Sequence, residues 1–503
     1  MHSFLGRGKT LQFALTVCCL MAFVLFGYDQ GVFGGILENK DWLDQFNHPS
    51  DSKTGIVVSC YNLGCFAGCV VNYMIGEMLG RRRSIWFAMA FVIVGATLQT
   101  SAFTVPHLII GRLITGVGTG IKTSTVPMYQ SELCDQRSRG RLVSAEVLFV
   151  GIGIVIAYWF DFGMSYVGGP IAWRLPIAAQ IIFALVVVIL VIGLPESPRW
   201  LYKHGKYEEA METLCKVYDK ESTDVYILAE RDAIISALGP ELENTESNSL
   251  LALFKEDNVK TRYRVLLAWW VMFMNQAGGI NLVVYYAPSV LVQNIGMTPK
   301  LAQILAGFIN LMFALGSIIP TLTLDRMGRR RTMIWGCAGL SISMLMVAVL
   351  LSRSDAPNGH ACAIGAIAFL FIYMLIFGMT ANCVPWARTR GTAIGVGSNW
   401  LWNFTVVMIT PVIINRLHWK AYLVFMATNA AFVPAFYFFF PETSNLRLEE
   451  IDLIFTRPGN PVQNAREMAM EIKRFGHIAE NTGSGLEPAM VLKEESDEQC
   501  EHA

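Results

Sequence analysis

The sequence predicts an all-α membrane protein with twelve transmembrane helices in two six-helix, pseudo-symmetric bundles. Three observations predict it. The chain of 503 residues is 53% hydrophobic and only 16% charged, whereas soluble chains carry about 25% charged residues. Apolar stretches able to cross a hydrocarbon layer of ~30 Å, which takes roughly 20 residues as a helix, recur about twelve times. Residues 76–83 read GEMLGRRR and residues 324–331 read LDRMGRRR, each where an apolar stretch ends and half the chain apart. One acid-Gly-Arg-Arg hinge per half marks a duplicated bundle, and such a bundle points to moving solutes across a bilayer.

Taken in order, the first-half spans centre near Leu20, Ala67, Val92, Thr119, Ile152 and Leu185. Those of the second half centre near Met274, Met312, Leu345, Phe371, Val406 and Phe432. Many are rich in Gly, Ala and Ser, which lets helix backbones approach where the hydrophobic effect cannot drive association. The first stretch is too long for a signal-peptide h-region and no small-residue cleavage site follows it, so it reads as a span. Residues 1–194 form the N-terminal bundle and 265–440 the C-terminal one. Between them, 195–264 is the one long polar interruption. Its segment HGKYEEAMETLCKVYDK carries apolar residues at helical spacing. It reads as a cytoplasmic linker of short amphipathic helices under the bundles; a disordered linker is the alternative. The tail 441–503 is polar and acidic at its end, and reads as largely disordered.

Basic and acidic residues balance at 39 each, but their placement is lopsided. Arg81–Arg83, Arg137, Arg139, Arg141, Arg326 and Arg329–Arg331 fall in alternate loops, together with segment 195–264. The loop after the first span holds Glu38, Asp41, Asp44 and Asp51. The positive-inside rule then places both termini in the cytoplasm. Cys18, Cys19, Cys60, Cys65 and Cys69 lie in apolar spans and read as buried thiols rather than a disulfide framework. No metal-ligand spacing appears, and the Gly-rich fingerprints lie inside spans rather than in βαβ context, so an enzyme reading finds little support. No cofactor and no nucleic-acid partner are expected, and a single copy is expected to suffice. Further pairs extend the repeat: PESPRW (195–200) with PETSNL (441–446), and Arg139-Gly140 with Arg390-Gly391.

With FGYDQGVFGG (26–35), GRLITGVGTG (111–120), PMYQSEL (127–133), RGR (139–141), NQAGGINLVVYY (275–286), VPW (384–386) and NW (399–400) added to these, the chain resembles the sugar porter family of the major facilitator superfamily, particularly its fungal members. The resemblance covers about residues 10–455 and implies the major facilitator fold. It also implies alternating-access transport of a monosaccharide (hexose or pentose) or polyol, by proton symport. A facilitative uniporter or a transport-inactive sugar sensor is the alternative; a plasma membrane is the expected location.

An acid beside Gly and arginines can lock neighbouring helix ends by charge-assisted hydrogen bonds. The resemblance extends this lock to Glu77, Arg81, Glu132 and Arg139 in one half, and to Asp325, Arg329 and Arg390 in the other. Asp29 lies inside an apolar span, where a carboxylate costs about 2.5–3.5 kcal/mol or more unless paired. The resemblance pairs it with Arg112 as the proton-coupling site; a permanent structural ion pair is the other reading. Sugar hydroxyls both donate and accept, so amides suit them. The seventh span offers Asn275, Gln276 and Asn281, with Tyr285 and Tyr286 as gate residues. Gly278 and Gly279 would let that helix unwind. Trp386 matches the family's ring-stacking tryptophan. Asn399, Trp400 and Asn403 follow on the eleventh span, and Asn310 is an eighth-span candidate. Intramembrane amides that merely bridge helices are the bland alternative.

The chain departs from the family in places. Val147 stands where a sugar-contacting Gln is usual, and Asn275-Gln276 where the family has Gln-Gln. The run between Trp386 and Arg390-Gly391 is short: Glu132 stands seven residues before Arg139, but Cys383 stands seven before Arg390. Lys122 in the fourth span and Glu146 in the fifth belong to no family motif. They are expected to form an intramembrane ion pair; the alternative is that Lys122 snorkels and Glu146 reaches the loop arginines.

Overall fold

The computed structural model describes residues 6–134, 136–243, 260–353, 356–380, 389–443 and 453–475, and no strand occurs among them. The first half comprises α1 (Lys9–Ile36), a short α2 (Lys40–Gln45), α3 (Asp51–Leu79), α4 (Arg81–Thr100), α5 (Val105–Leu133), α6 (Gln136–Met164) and α7 (Ile171–Gly193). The connecting segment holds α8 (Pro198–Lys203), α9 (Tyr207–Tyr218) and α10 (Val225–Glu243). The second half comprises α11 (Thr261–Ala277), α12 (Ile280–Gln293), α13 (Pro299–Met327), α14 (Arg329–Leu351), α15 (Gly359–Thr380), α16 (Thr389–Leu417) and α17 (Lys420–Phe439). A terminal helix, α18 (Pro461–Phe475), follows.

Among the described residues, eleven segments are long and apolar enough to cross a membrane, α11 and α12 counting as one. The remaining long helix, α5, has 29 residues but carries Arg112, Lys122 and several threonines. With it the spans number twelve, six per half. A polar span is tolerated where its side chains find partners inside the bundle, and α5 is wedged between α3 and α4.

Packing repeats with the sequence. α15 lies between α13 and α14 as α5 lies between α3 and α4. α1 packs on α6 as α11 packs on α16, and α4 on α7 as α14 on α17. The halves meet along α3–α16 and α6–α13, which exchange places when the halves are exchanged, and along α1–α12. Small residues set these distances: a Cβ added to Gly27 of α1 would fall 1.9 Å from the Val150 carbonyl oxygen of α6.

One end of the molecule gathers both ends of the described chain. Gly8 N–H donates to Lys216 O of α9 at 2.8 Å, and the Gln12 amide to Val217 O at 3.0 Å. Trp200, Leu201, Leu214 and Ile227 give α8–α10 a small core of their own. The tail contains ordered structure where its composition predicts disorder. α18 lays Ala465 and Met468, with Ile454 and Phe455, against Leu267, Met333, Phe436 and Phe440. Arg457 holds Glu471 through two hydrogen bonds of 2.9 and 2.8 Å. The polar composition of the whole tail hides this helix, whose apolar residues Val462, Ala465, Met468 and Ile472 recur at helical spacing. We call this end the terminal face. Cavities of about 300 Å³ beside Arg82, Trp86 and Glu196, and about 400 Å³ beside Arg331, Trp335 and Thr380, open near it.

Candidate functional site

Asp29 of α1 is fully buried. Its Oδ2 accepts from the Tyr61 hydroxyl of α3 at 3.4 Å and from the Thr119 hydroxyl of α5 at 3.3 Å. The Lys122 ammonium, one turn beyond Thr119, stands 3.7 Å from the same oxygen. Lys122 is fully buried too, and Asp29 is its ion-pair partner, with the Cys65 thiol also nearby.

Neither expected pairing forms as a direct contact. Arg112 makes no ion pair with Asp29. Its guanidinium donates to the Val57 and Val58 carbonyls of α3 at 3.3 and 3.0 Å. It lies over the rings of Phe33 and Tyr61, 4.1 and 4.7 Å from their centroids. A planar fork suits paired carbonyls and aromatic faces, while the compact ammonium suits a single carboxylate oxygen. Nor does Lys122 meet Glu146, which is buried with no ion pair among the described residues and an unpartnered Oε1. Lys122 meets α1 at Asp29, whereas Glu146 lies near Cys19, ten residues or roughly 15 Å back along α1 at 1.5 Å per residue.

The amide cluster grows from a broken helix. α11 stops at Ala277 and α12 restarts at Ile280, with Gly279 at φ 98°. The Gly278 carbonyl accepts from the Tyr373 hydroxyl at 2.9 Å and the Asn429 amide at 2.8 Å, and Ala277 O accepts from Thr428 at 3.0 Å. The break thus leaves no orphaned carbonyl at these positions. Beside it, the Gln276 amide donates to Asn399 Oδ1 and its oxygen accepts from Asn281, each at 2.6 Å. Trp400 follows Asn399, buried, with its ring 5.3 Å from Phe26 and 6.3 Å from Tyr61. Tyr61 is the side chain that also donates to Asp29. One tyrosine therefore touches both the acid and the tryptophan that follows Asn399 in the chain. One turn on, Asn403 accepts from Asn62 of the other half at 3.0 Å.

Tyr285 and Tyr286 are buried, and the Tyr286 hydroxyl donates to Val407 O at 3.2 Å. Asn275 is half-buried. Asn310 is buried and donates to Ala306 O at 2.9 Å, apart from the other amides. Val147 packs on the core edge. Trp386 and the short run around it, and the side chains of Arg139, Asp325 and Arg390, lie outside the described residues. Among the described residues, Trp400 Nε1, Tyr285 OH, Asn310 Oδ1 and Asn62 Oδ1 are buried without a close hydrogen-bond partner, Tyr285 lying beside Asn62 and Asn310 beside Tyr158. Buried polar atoms are normally paired, and a polyhydroxylated ligand is a chemistry that satisfies both donors and acceptors at once.

The arginine hinges repeat in the second arginine of each and in the carboxylate that caps it. Arg81 grips Glu132 through two 3.0 Å hydrogen bonds and Glu77 through one of 3.2 Å. Arg82 donates to Val191 O and Ile192 O at the end of α7, as Arg330 donates to Phe436 O and Tyr437 O at the end of α17. The Glu196 carboxylate caps α4 through the N–H groups of Arg81 (3.0 Å) and Arg82 (3.2 Å). Glu442 caps α14 through those of Arg329 (2.9 Å) and Arg330 (3.0 Å). Burial pushes the Glu196 carboxyl up from its ordinary range, while backbone N–H groups and Arg81 pull it back. The PES and PET repeats carry the signal for these caps, although the sequence alone assigns them no role. Nothing in the sequence singles out Tyr61.

Residues 15–455 match the family described as sugar (and other) transporter. The chain belongs to that family. This family member is 38% identical over 459 residues to the MFS-type transporter oryC of Aspergillus oryzae, spanning 88% of this chain and 85% of that one. It is 34% identical over 475 residues to Sugar transporter STL1 of Saccharomyces cerevisiae, spanning 90% and 82%. Its fold is similar to that of the E. coli proton:xylose symporter XylE bound to 6-bromo-6-deoxy-D-glucose, with TM-score 0.74 and 23% identity over 89% of this chain and 100% of that one. At that identity the likeness shows the fold, which is that of the major facilitator superfamily. The sugar transporter family member described here is thus a multi-pass membrane transporter rather than an enzyme.

Proposed function

We propose that this chain moves a monosaccharide or polyol by alternating access, coupled to protons through Asp29, in a plasma membrane with the terminal face towards the cytoplasm. One observation carries the coupling: Tyr61 donates to Asp29 and sets its ring against Trp400, so a proton on the acid and a sugar on the amide cluster share a neighbour. The amides Gln276, Asn281 and Asn399 would hold hydroxyls, with Asn275 and Asn310 at the margin and Trp386 and Trp400 against the ring. Tyr285 and Tyr286 would gate them. The hinge groups Glu77, Arg81, Glu132, Arg139, Asp325, Arg329 and Arg390 would brace the terminal face in one state and part in the other. The family and its member STL1 support sugar as the substrate class, and the XylE likeness supports symport.

Uptake of radiolabelled pentoses, hexoses and polyols into transport-null cells, with and without a protonophore, tests this. Protonophore-sensitive accumulation with external alkalinisation supports the reading; transport of none of the compounds overturns it. A second reading has its own observation. Lys122 gives Asp29 a resident counter-charge, which suits a permanent ion pair in a uniporter. Uptake that equilibrates, ignores the protonophore and moves no protons would establish that one.

A further inference from the structure

Around Asp29 stand Lys122 and Arg112 from α5, Tyr61 and Cys65 from α3, Tyr285 from α12 and Tyr28 of its own helix. Of the two cations, only Lys122 touches the carboxylate. Arg112 directs two of its N–H groups to α3 carbonyls and lies over two rings, so it acts on Asp29 through its charge and not by contact. Lys122, by contrast, has Asp29 as its one ion-pair partner among the described residues, with the Cys65 thiol beside it. It is fully buried, makes no hydrogen bond, and the other buried acid nearby in sequence, Glu146, is not its partner.

We propose that Lys122 is the counter-ion on which Asp29 depends, a positioning residue that ties the acid's proton exchange to the packing of α5 on α1. This rests on the reading of Asp29 as the coupling acid. When Asp29 Oδ2 takes a proton from water on the open side, a neutral acid forms and Lys122 keeps its own proton. The ammonium then has no counter-charge inside a closed bundle, which is costly. Protonation therefore disfavours the closed arrangement and favours one in which Lys122 reaches water. Loss of the proton draws the ammonium back and re-forms the α1–α5 clasp. A carboxylate served by an arginine with other partners would not behave this way. There, Asp29→Asn imitates the protonated acid and leaves a working exchanger. Here, Asp29→Asn strands Lys122.

The test uses the full chain, purified for thermal unfolding and reconstituted in vesicles for counterflow of radiolabelled D-xylose, D-glucose and glycerol. Asp29→Asn and Lys122→Met should each unfold about 5–10 °C lower than wild type, the scale of breaking one buried pair. Each should also lose about tenfold in counterflow, and the double variant should recover most of both losses. Lys122→Arg, which keeps the charge, should unfold closer to wild type than Lys122→Met. A double variant as poor as the sum of the singles overturns the pairing, and so does an Asp29→Asn protein with wild-type stability and counterflow. If the double variant recovers but still accumulates sugar up a gradient on an imposed proton gradient, the coupling role of Asp29 fails while the pairing stands. If none of the three compounds is carried, the unfolding cycle alone decides.

Discussion

A carboxylate, an ammonium and a phenol in van der Waals reach of an indole give the site a built-in chain of command at the scale of single residues. Tyr61 is its middle link, since its hydroxyl serves Asp29 and its ring serves Trp400. Tyr61→Phe keeps the ring and removes the hydroxyl. Sugar counterflow should survive within about threefold, while sugar-elicited proton uptake falls by more, because a lost hydrogen bond to a charged acceptor is worth about 1.5–3 kcal/mol. Equal losses in both would assign Tyr61 to packing alone. Trp400 supplies a second probe. Among the described residues its buried indole N–H has no partner, and a substrate hydroxyl would supply one. Trp400→Phe should raise the apparent KM about fivefold to thirtyfold, the equivalent of about 1–2 kcal/mol, with unchanged unfolding temperature. A variant that is destabilised with an unchanged KM would show that the indole only fills space.

Helices carry the next level of design, and two devices stand out. The first is the break between α11 and α12. Gly279 sits at φ 98°, and a Cβ there would meet the Phe425 ring at 2.8 Å. Gly279→Ala should destabilise by more than about 1–2 kcal/mol, since left-handed strain and a clash coincide. Tyr373→Phe, which leaves Gly278 O one donor short, should cost only about 1 kcal/mol; thermal unfolding of the two variants gives the ranking. The second device is the capped hinge. Glu196→Gln and Glu442→Gln remove equivalent charges from equivalent helix starts. They should lower stability by similar amounts, and their effects should add, because the two caps share no partner. How much of this is legible in the sequence follows from the same geometry. The hinges, Asp29 and the amides announce themselves through local pattern: a charge in an apolar run, or a motif said twice. Helical spacing tells which face of its own helix a residue occupies, but not which neighbouring helix that face meets. Depth in the membrane therefore matches Lys122 with an acid in the next span instead of with Asp29 on α1. The link between Asn62 and Asn403 is hidden for the same reason, since nothing local connects residues in opposite halves.

At the scale of the whole molecule, the central cluster is shut away, with Tyr285, Tyr286 and Trp400 almost wholly buried. The face opposite the termini is drawn together across the two halves. Ser289 of α12 donates to Glu38, Gln303 of α13 donates to Gly35 O at 3.3 Å, and Tyr158 of α6 donates to Val284 O at 2.8 Å. If rocking must part these contacts, a disulfide between Glu38→Cys and Ser289→Cys should stop uptake, and reductant should restore it. Continued uptake by the fully cross-linked protein would mean that this face need not open there. The capped hinges have one more consequence, for the order in which the chain is made. The start of α4 waits for a carboxylate 115 residues downstream, and the start of α14 for one 113 residues downstream. At ribosomal speeds of about 5–20 residues per second, each half emerges unfastened for several seconds and is closed by almost the last residue of its own translation. The first half is thus sealed before its sister begins, so the open brace of one half does not meet the glutamate of the other.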